Sequence, residues 1–202
     1  MECKINYLFN NKNQFIINFE AFSDQDTIVN LTNHNYWNFH GHEKKYQNIL
    51  NHNVCINSNN ICEINKNSIP TGKLVSINGT KFDLNNTINI SQKFLDKGGI
   101  DHTYELKNSN LVDLDGFIFS NLTGMGAEYY TDQPGMQFYS GNMMEKKYEG
   151  KYSKSYGLHF GICFEPQIFP DAINNPNFIT PILRKGETYK STILIHLRND
   201  FI

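Results

Sequence analysis

Glu165 lies near the end of the stretch LHFGICFEPQ, residues 158–167, in which small residues precede a carboxylate and a proline follows it. A strand over 158–165 would turn Phe160, Ile162 and Phe164 to one face, and His159, Gly161, Cys163 and Glu165 to the other. The small residues on that second face leave room for something to lie against the sheet, with a carboxylate at its end. Pro166 holds Glu165 extended and offers no ladder donor, so pairing is expected to stop there. Such a carboxylate is well placed to line a pocket; the plain alternative is a solvated glutamate at a strand edge. His34 poses the same choice. It lies in NLTNHNYWNFHG, residues 30–41, between Asn33 and Asn35. On a strand running from Thr27, Thr32, His34 and Tyr36 would share a face. Flanking amides can fix backbone and side chain by hydrogen bonds, which suits a proton donor because a freely turning imidazole loses positional advantage. The alternative is a structural histidine anchoring a turn.

Two further stretches carry polar groups near aromatics. GGIDHTYEL, residues 98–106, sets Asp101 and His102 just after a glycine pair. TDQPGMQFYSGN, residues 131–142, turns at Pro134-Gly135, after which Gln137 and Tyr139 share one face, with Met136 and Phe138 opposite. Amide and carboxylate groups beside rings suit a neutral sugar, whose hydroxyls need paired donors and acceptors while its C–H faces lie on aromatics. The HGH run at 40–42, with Glu43 and His52 near, has no further ligand at a metal-site spacing and reads as a solvated loop. Neither phosphate-cradling glycine motif occurs. Cys3, Cys55, Cys62 and Cys163 match no common zinc pattern and read as free thiols.

Short alternating runs separated by Asn, Gly, Asp and Pro must position these groups. They predict strands over 5–9 and 15–22, joined by a polar turn, then over 27–33, 53–56, 62–64, 73–77, 103–106, 116–122, 127–132, 136–141, 158–165 and 191–197. SQKFLDKGG, residues 91–99, predicts one helical turn ended by its glycines. Many short strands with turn signals between them indicate an all-β, antiparallel sandwich. A length of 202 residues and the lack of a linker or repeat indicate a single domain over 1–202. A net charge of −2 gives no electrostatic reason to expect nucleic acid or a membrane surface as partner. No apolar run suits a membrane span or a signal peptide, which makes a cytoplasmic protein the expectation.

Taken in order, VNLTNHNYWNFHG, PTGKLVSINGTKFDL, GGIDHTYEL with YYTDQPGMQFYSGN, and CFEPQIFPDAINNPNFITPILRKGETY resemble the aldose 1-epimerase (galactose mutarotase) family. The resemblance runs from Ile5 to Leu197. It implies a galactose mutarotase-like supersandwich that interconverts the anomers of a free hexose, such as galactose or glucose, without metal or organic cofactor. It puts the acid that protonates the ring oxygen on His34 and the general base on Glu165. It puts a sugar-binding carboxylate on Asp101 and an amide ligand on Gln137. Ordinary pKa values of about 4.3 for Glu and 6.5 for His suit that pair. Where the family usually has E-T-Q, this chain has Glu165-Pro166-Gln167.

Members of the family are usually longer at the N-terminus, where they carry further strands, a sugar-binding arginine and a second histidine that map to nothing here. The resemblance therefore implies a sandwich truncated at its N-terminus, with open edges that a second copy or a companion chain would cover. It leaves as alternatives a catalytically weak or inactive sugar-binding homologue and one half of a split epimerase. A phosphosugar substrate fits less well, because Arg184 and Arg198 are the chain's only arginines and both lie near the C-terminus.

Overall fold

The computed structural model describes residues 1–42, 48–145 and 150–201. β1 (Glu2–Phe9) and β2 (Gln14–Phe22) form the expected hairpin, with Asn13 in the left-handed conformation at its turn. β3 (Thr27–Ile28) is short, and β4 (His52–Ile56), β5 (Asn60–Ile64) and β6 (Pro70–Ser76) come next. β7 (Ile88–Asn89) precedes the helix α1 (Gln92–Asp96), whose Ser91 cap accepts the Phe94 N–H. Gly98 and Gly99, both at positive φ, end that turn. β8 (Asp101–Glu105), β9 (Gly116–Ser120), β10 (Gly126–Thr131) and β11 (Gly135–Tyr139) follow, then β12 (Cys163–Gln167), β13 (Ile182–Leu183) and β14 (Thr188–Arg198).

These strands make an antiparallel β-sandwich. One sheet runs β1-β2-β14-β10-β9-β4-β7, the other β12-β11-β8-β5-β6, and β13 pairs with β3. Period-two alternation builds the core between the layers. Ile17 and Phe19 of β2, Ile193 and Ile195 of β14, Ala127 and Tyr129 of β10 and Ile118 of β9 are buried from the larger sheet. Tyr104, Met136, Phe138 and Phe164 meet them from the smaller one. The Phe164 ring stacks on Tyr129 at 4.9 Å and takes Phe138 edge-on at 5.4 Å. Polar residues between these core positions are thereby turned to the outer face of the smaller sheet.

The β1 register sets Cys3, Ile5, Tyr7 and Phe9 opposite Ala21, Phe19, Ile17 and Phe15, on the core-facing side. Yet all of β1 is exposed, with Tyr7 at 59% and Phe9 at 61%. An apolar stripe continuous with the core is thus bare on an edge strand, the condition that favours further strand pairing. The chain's four cysteines are free. Among the described residues no helix is long and apolar enough to cross a membrane.

Two expected strands differ from the structure. The one predicted over 27–33 ends at Ile28, and two residues on the Asn30 side chain, not a strand ladder, ties the chain to the Ile168 backbone. The one predicted over 158–165 begins only at Cys163, after a turn that holds His159 at φ 60°. Pairing also continues past Pro166 to Gln167. Among the described residues β12 pairs within its sheet only with β11, and the missing proline N–H removes no ladder bond on the side that faces away from it.

Candidate active site

Register assembles the site on the outer face of the smaller sheet. Gln137 of β11 lies between Thr103 of β8 and Glu165 of β12, and Tyr139 lies between Asp101 and Cys163. Two cross-strand rows of three residues therefore face the same way. Gln137 Nε2 donates to Asp101 Oδ1 at 2.5 Å, and Thr103 Oγ1 donates to Gln137 Oε1 at 2.5 Å. Both ends of the Gln137 amide are thereby held. Sequence reasoning missed Thr103; its signal was the two-residue step from Asp101 along a strand.

His34 reaches this face from a loop clamped along β12. Asn30 donates from Nδ2 to the Ile168 carbonyl at 2.8 Å and accepts the Ile168 N–H at 2.9 Å. Trp37 and Ile162 exchange backbone hydrogen bonds of 2.8 and 2.9 Å, and Asn38 Nδ2 donates to the Phe160 carbonyl at 3.1 Å. The Trp37 indole N–H donates to the buried Tyr129 hydroxyl. The clamps thus fall on Asn30 and Asn38, not on the immediate neighbours Asn33 and Asn35. A Cβ on Gly161 would lie 3.1 Å from Tyr36, so the space left by small residues admits this loop rather than a ligand. His34 stacks on Tyr36 at 4.8 Å and meets the Tyr139 ring edge-on at 6.2 Å.

His34 Nε2 then lies 3.6 Å from Glu165 Oε1, with the histidine side chain half exposed and the carboxylate nearly covered. Both open onto a hollow of about 420 Å³ that Asp101, Gln137, Tyr36 and Tyr139 also line. All four sequence-predicted site residues therefore share one hollow. Among the described residues lining it there is no lysine or arginine. Tyr36 also borders a larger hollow of about 670 Å³, whose described lining carries no carboxylate.

Burial pushes the Glu165 carboxyl up to about 7, and the nearby Asp101 charge adds to the push. The ordinary carboxylate value expected from sequence does not hold, because removing the group from water penalises its charged form. His102 points to the opposite face, packs on Phe82 at 4.4 Å and is held below its usual range by burial. His159, expected beside Glu165, instead bonds the Ser140 carbonyl through Nδ1 at 2.8 Å. The expected solvated loop at 40–42 is corrected too. His40 and His52 are buried with ring centroids 4.1 Å apart, and His52 Nε2 accepts the Phe39 N–H. Burial holds His52 down at about 3, so the neutral ring that this hydrogen bond requires is maintained. Glu43 lies outside the described residues.

The sequence model of the aldose 1-epimerase family matches residues 1–196. The chain belongs to the aldose 1-epimerase family. It is 37% identical over 181 residues to the galactose mutarotase of Homo sapiens, covering 89% of this chain and 52% of that protein. It is 28% identical over 196 residues to the aldose 1-epimerase of Escherichia coli (strain K12), covering 93% and 56%. The chain therefore spans about half the length of these relatives. Its fold is similar to that of a GalM/aldose epimerase homologue from C. elegans, with a TM-score of 0.83 at 23% identity over 96% of this chain and 59% of that one. A galactose 1-epimerase from Lactobacillus acidophilus NCFM gives a TM-score of 0.78 at 22% identity, covering 97% and 56%. Within the aldose 1-epimerase family, the sheet rows and the clamped loop are the features of this chain that bring its candidate residues together.

Proposed function

We propose that the chain is a single-domain aldose 1-epimerase over 1–202, interconverting the α and β anomers of a free hexose such as galactose or glucose. The observation that carries this reading is the 3.6 Å approach of His34 and Glu165 in a hollow that also holds Asp101 and Gln137. Glu165 takes the proton of the anomeric hydroxyl while His34 gives a proton to the ring oxygen. The bond between the anomeric carbon and the ring oxygen breaks, leaving an aldehyde and a hydroxyl. Rotation about the adjacent carbon–carbon bond and closure with the proton transfers reversed give the other anomer. The two oxygens share one carbon, so acid and base must converge within a few ångströms. Each such group contributes typically ~10²–10⁴-fold, which suits a reaction of low intrinsic barrier. Both transfers use protein groups, so the chemistry needs no cofactor. Asp101 and Gln137 bind hydroxyls, and Tyr36 and Tyr139 offer faces for C–H groups.

Among the described residues lining the hollow there is no lysine or arginine, which supports a neutral sugar over a phosphosugar. Arg184 is engaged with Asp26, and Arg198 with Glu128 and Asp200. Polarimetry on freshly dissolved α-D-galactose tests the reading. Faster decay of rotation than in buffer, lost in Glu165→Gln, is the expected result; decay at the buffer rate with folded protein rejects it. A second reading is a sugar-binding chain without turnover. Calorimetric binding of galactose with no rate enhancement would select that one.

The bare stripe on β1 supports a partner: further β-structure, from a companion chain or a second copy, covers Cys3, Ile5, Tyr7 and Phe9. Sedimentation of the parent and of Tyr7→Lys tests the second copy. A dimer lost in the variant is expected for it, and monomers in both reject it.

A further inference from the structure

Cys163 is a thiol that the proposed isomerisation does not use, yet it stands beside both groups that it does use. It shares the outward face of β12 with Glu165, two residues along, and it is fully buried. One ligand atom each from His34, Cys163 and Glu165 lie within 4.8 Å of one another. Among the described residues no group donates a hydrogen bond to the Glu165 carboxylate, and its ion-pair partner is His34 at 3.6 Å. A nearly buried carboxylate without a donor favours a cation or a hydroxyl as its next neighbour.

We propose that His34, Cys163 and Glu165 form a binding site for a soft divalent cation such as zinc, open to the sugar hollow at its fourth position. Sulfur, imidazole nitrogen and carboxylate oxygen are the usual protein ligands of zinc. Bond lengths of roughly 2.0–2.3 Å in a tetrahedron require ligand atoms roughly 3.3–3.8 Å apart. The His34–Glu165 pair at 3.6 Å lies within this range, and with all three atoms inside 4.8 Å the set has to contract by at most about 1 Å. Binding releases the Cys163 thiol proton to solvent, and each of the three ligand atoms shares an electron pair with the cation; nothing is oxidised or reduced. Thiolate preference sets this site apart from one for magnesium or calcium, which take oxygen ligands. The bound cation occupies the base and the acid together, so it inhibits rather than assists. That consequence rests on the acid–base reading above; the site itself rests on the geometry.

Cadmium titration of the chain carrying Cys3→Ser and Cys55→Ser, which removes the exposed and the half-exposed thiol, reads the site through the ultraviolet thiolate-to-cadmium absorption. The expected result is a saturable band that Cys163→Ser abolishes. His34→Gln, at a half-exposed position whose replacement leaves the core intact, should weaken zinc affinity by about tenfold or more in competition with a chromogenic chelator. A band unchanged in a folded Cys163→Ser protein, or zinc affinity unchanged in His34→Gln, would overturn the site. Polarimetry with zinc then separates the two readings. Inhibition reversed by a chelator and relieved in Cys163→Ser supports both. Cation bound through Cys163 with no loss of rate would refute the acid–base pair and leave the metal site standing.

Discussion

Replacing Glu165 by Gln should make the fold more stable at alkaline pH and change it far less at acid pH. The carboxyl titrates near 4.5 when unfolded and is pushed up to about 7 in the fold. Its neutral form is therefore the one the fold prefers. Stability from this group is fully present below the unfolded value and is lost as pH rises through 7. At 1.36 kcal/mol per unit, linkage puts the cost of ionisation at roughly 1 kcal/mol at pH 5 and roughly 3 kcal/mol at pH 8. Solvent reaching the hollow screens part of this, leaving a difference of roughly 1–2 kcal/mol between the two conditions. Glutamine never ionises, so Glu165→Gln removes that difference. Urea denaturation of parent and variant at both pH values measures it. Packing or hydrogen-bond changes made by the amide enter both measurements alike and cancel. So does Asp115, a second buried carboxyl that burial pushes up to about 7, because it is present in both proteins. The expected result is a variant that gains on its parent between pH 5 and pH 8. A gain of equal size at both, or none at either, would refute the claim that burial keeps this carboxyl poised near neutrality.

The same shift sets the rate. Isomerisation should rise about tenfold per unit below pH 7, as the base loses its proton, and fall again at higher pH once the acid has lost its own; a pH–rate profile flat between pH 5 and pH 7 would contradict this. Asp101→Asn removes the charge that helps push Glu165 up and alters the partner of Gln137, so the acidic limb should move to lower pH while KM for galactose rises about tenfold or more. Asn30→Ala leaves the Ile168 N–H and carbonyl without their partners and should cost about 1–3 kcal/mol by urea melt, with kcat falling more than KM rises as His34 loosens. Trp37→Phe strips the buried Tyr129 hydroxyl of its indole donor and should destabilise by a similar roughly 1–3 kcal/mol in the same assay.

Much of this protein is legible from local pattern alone. Alternation in Phe15–Phe22 and in Ser191–Leu197 is a property of neighbouring residues, so the sequence determined that these are strands and which side of each is apolar. The same period set Gln137 apart from Met136 and Phe138, and the glycine pair at 98 and 99 marked where the helical turn ends. The tertiary structure alone decided what depends on distant pairing. Asp101, Gln137 and Glu165 meet because of register between β8, β11 and β12, which no short window encodes. Thr27 to Asn33 has an extended pattern but does not stay a strand, since Asn30 finds its partner 138 residues away at Ile168. Glu165 carries an ordinary carboxyl in sequence; only burial in the folded chain, beside the Asp101 charge, raises its proton affinity toward neutrality.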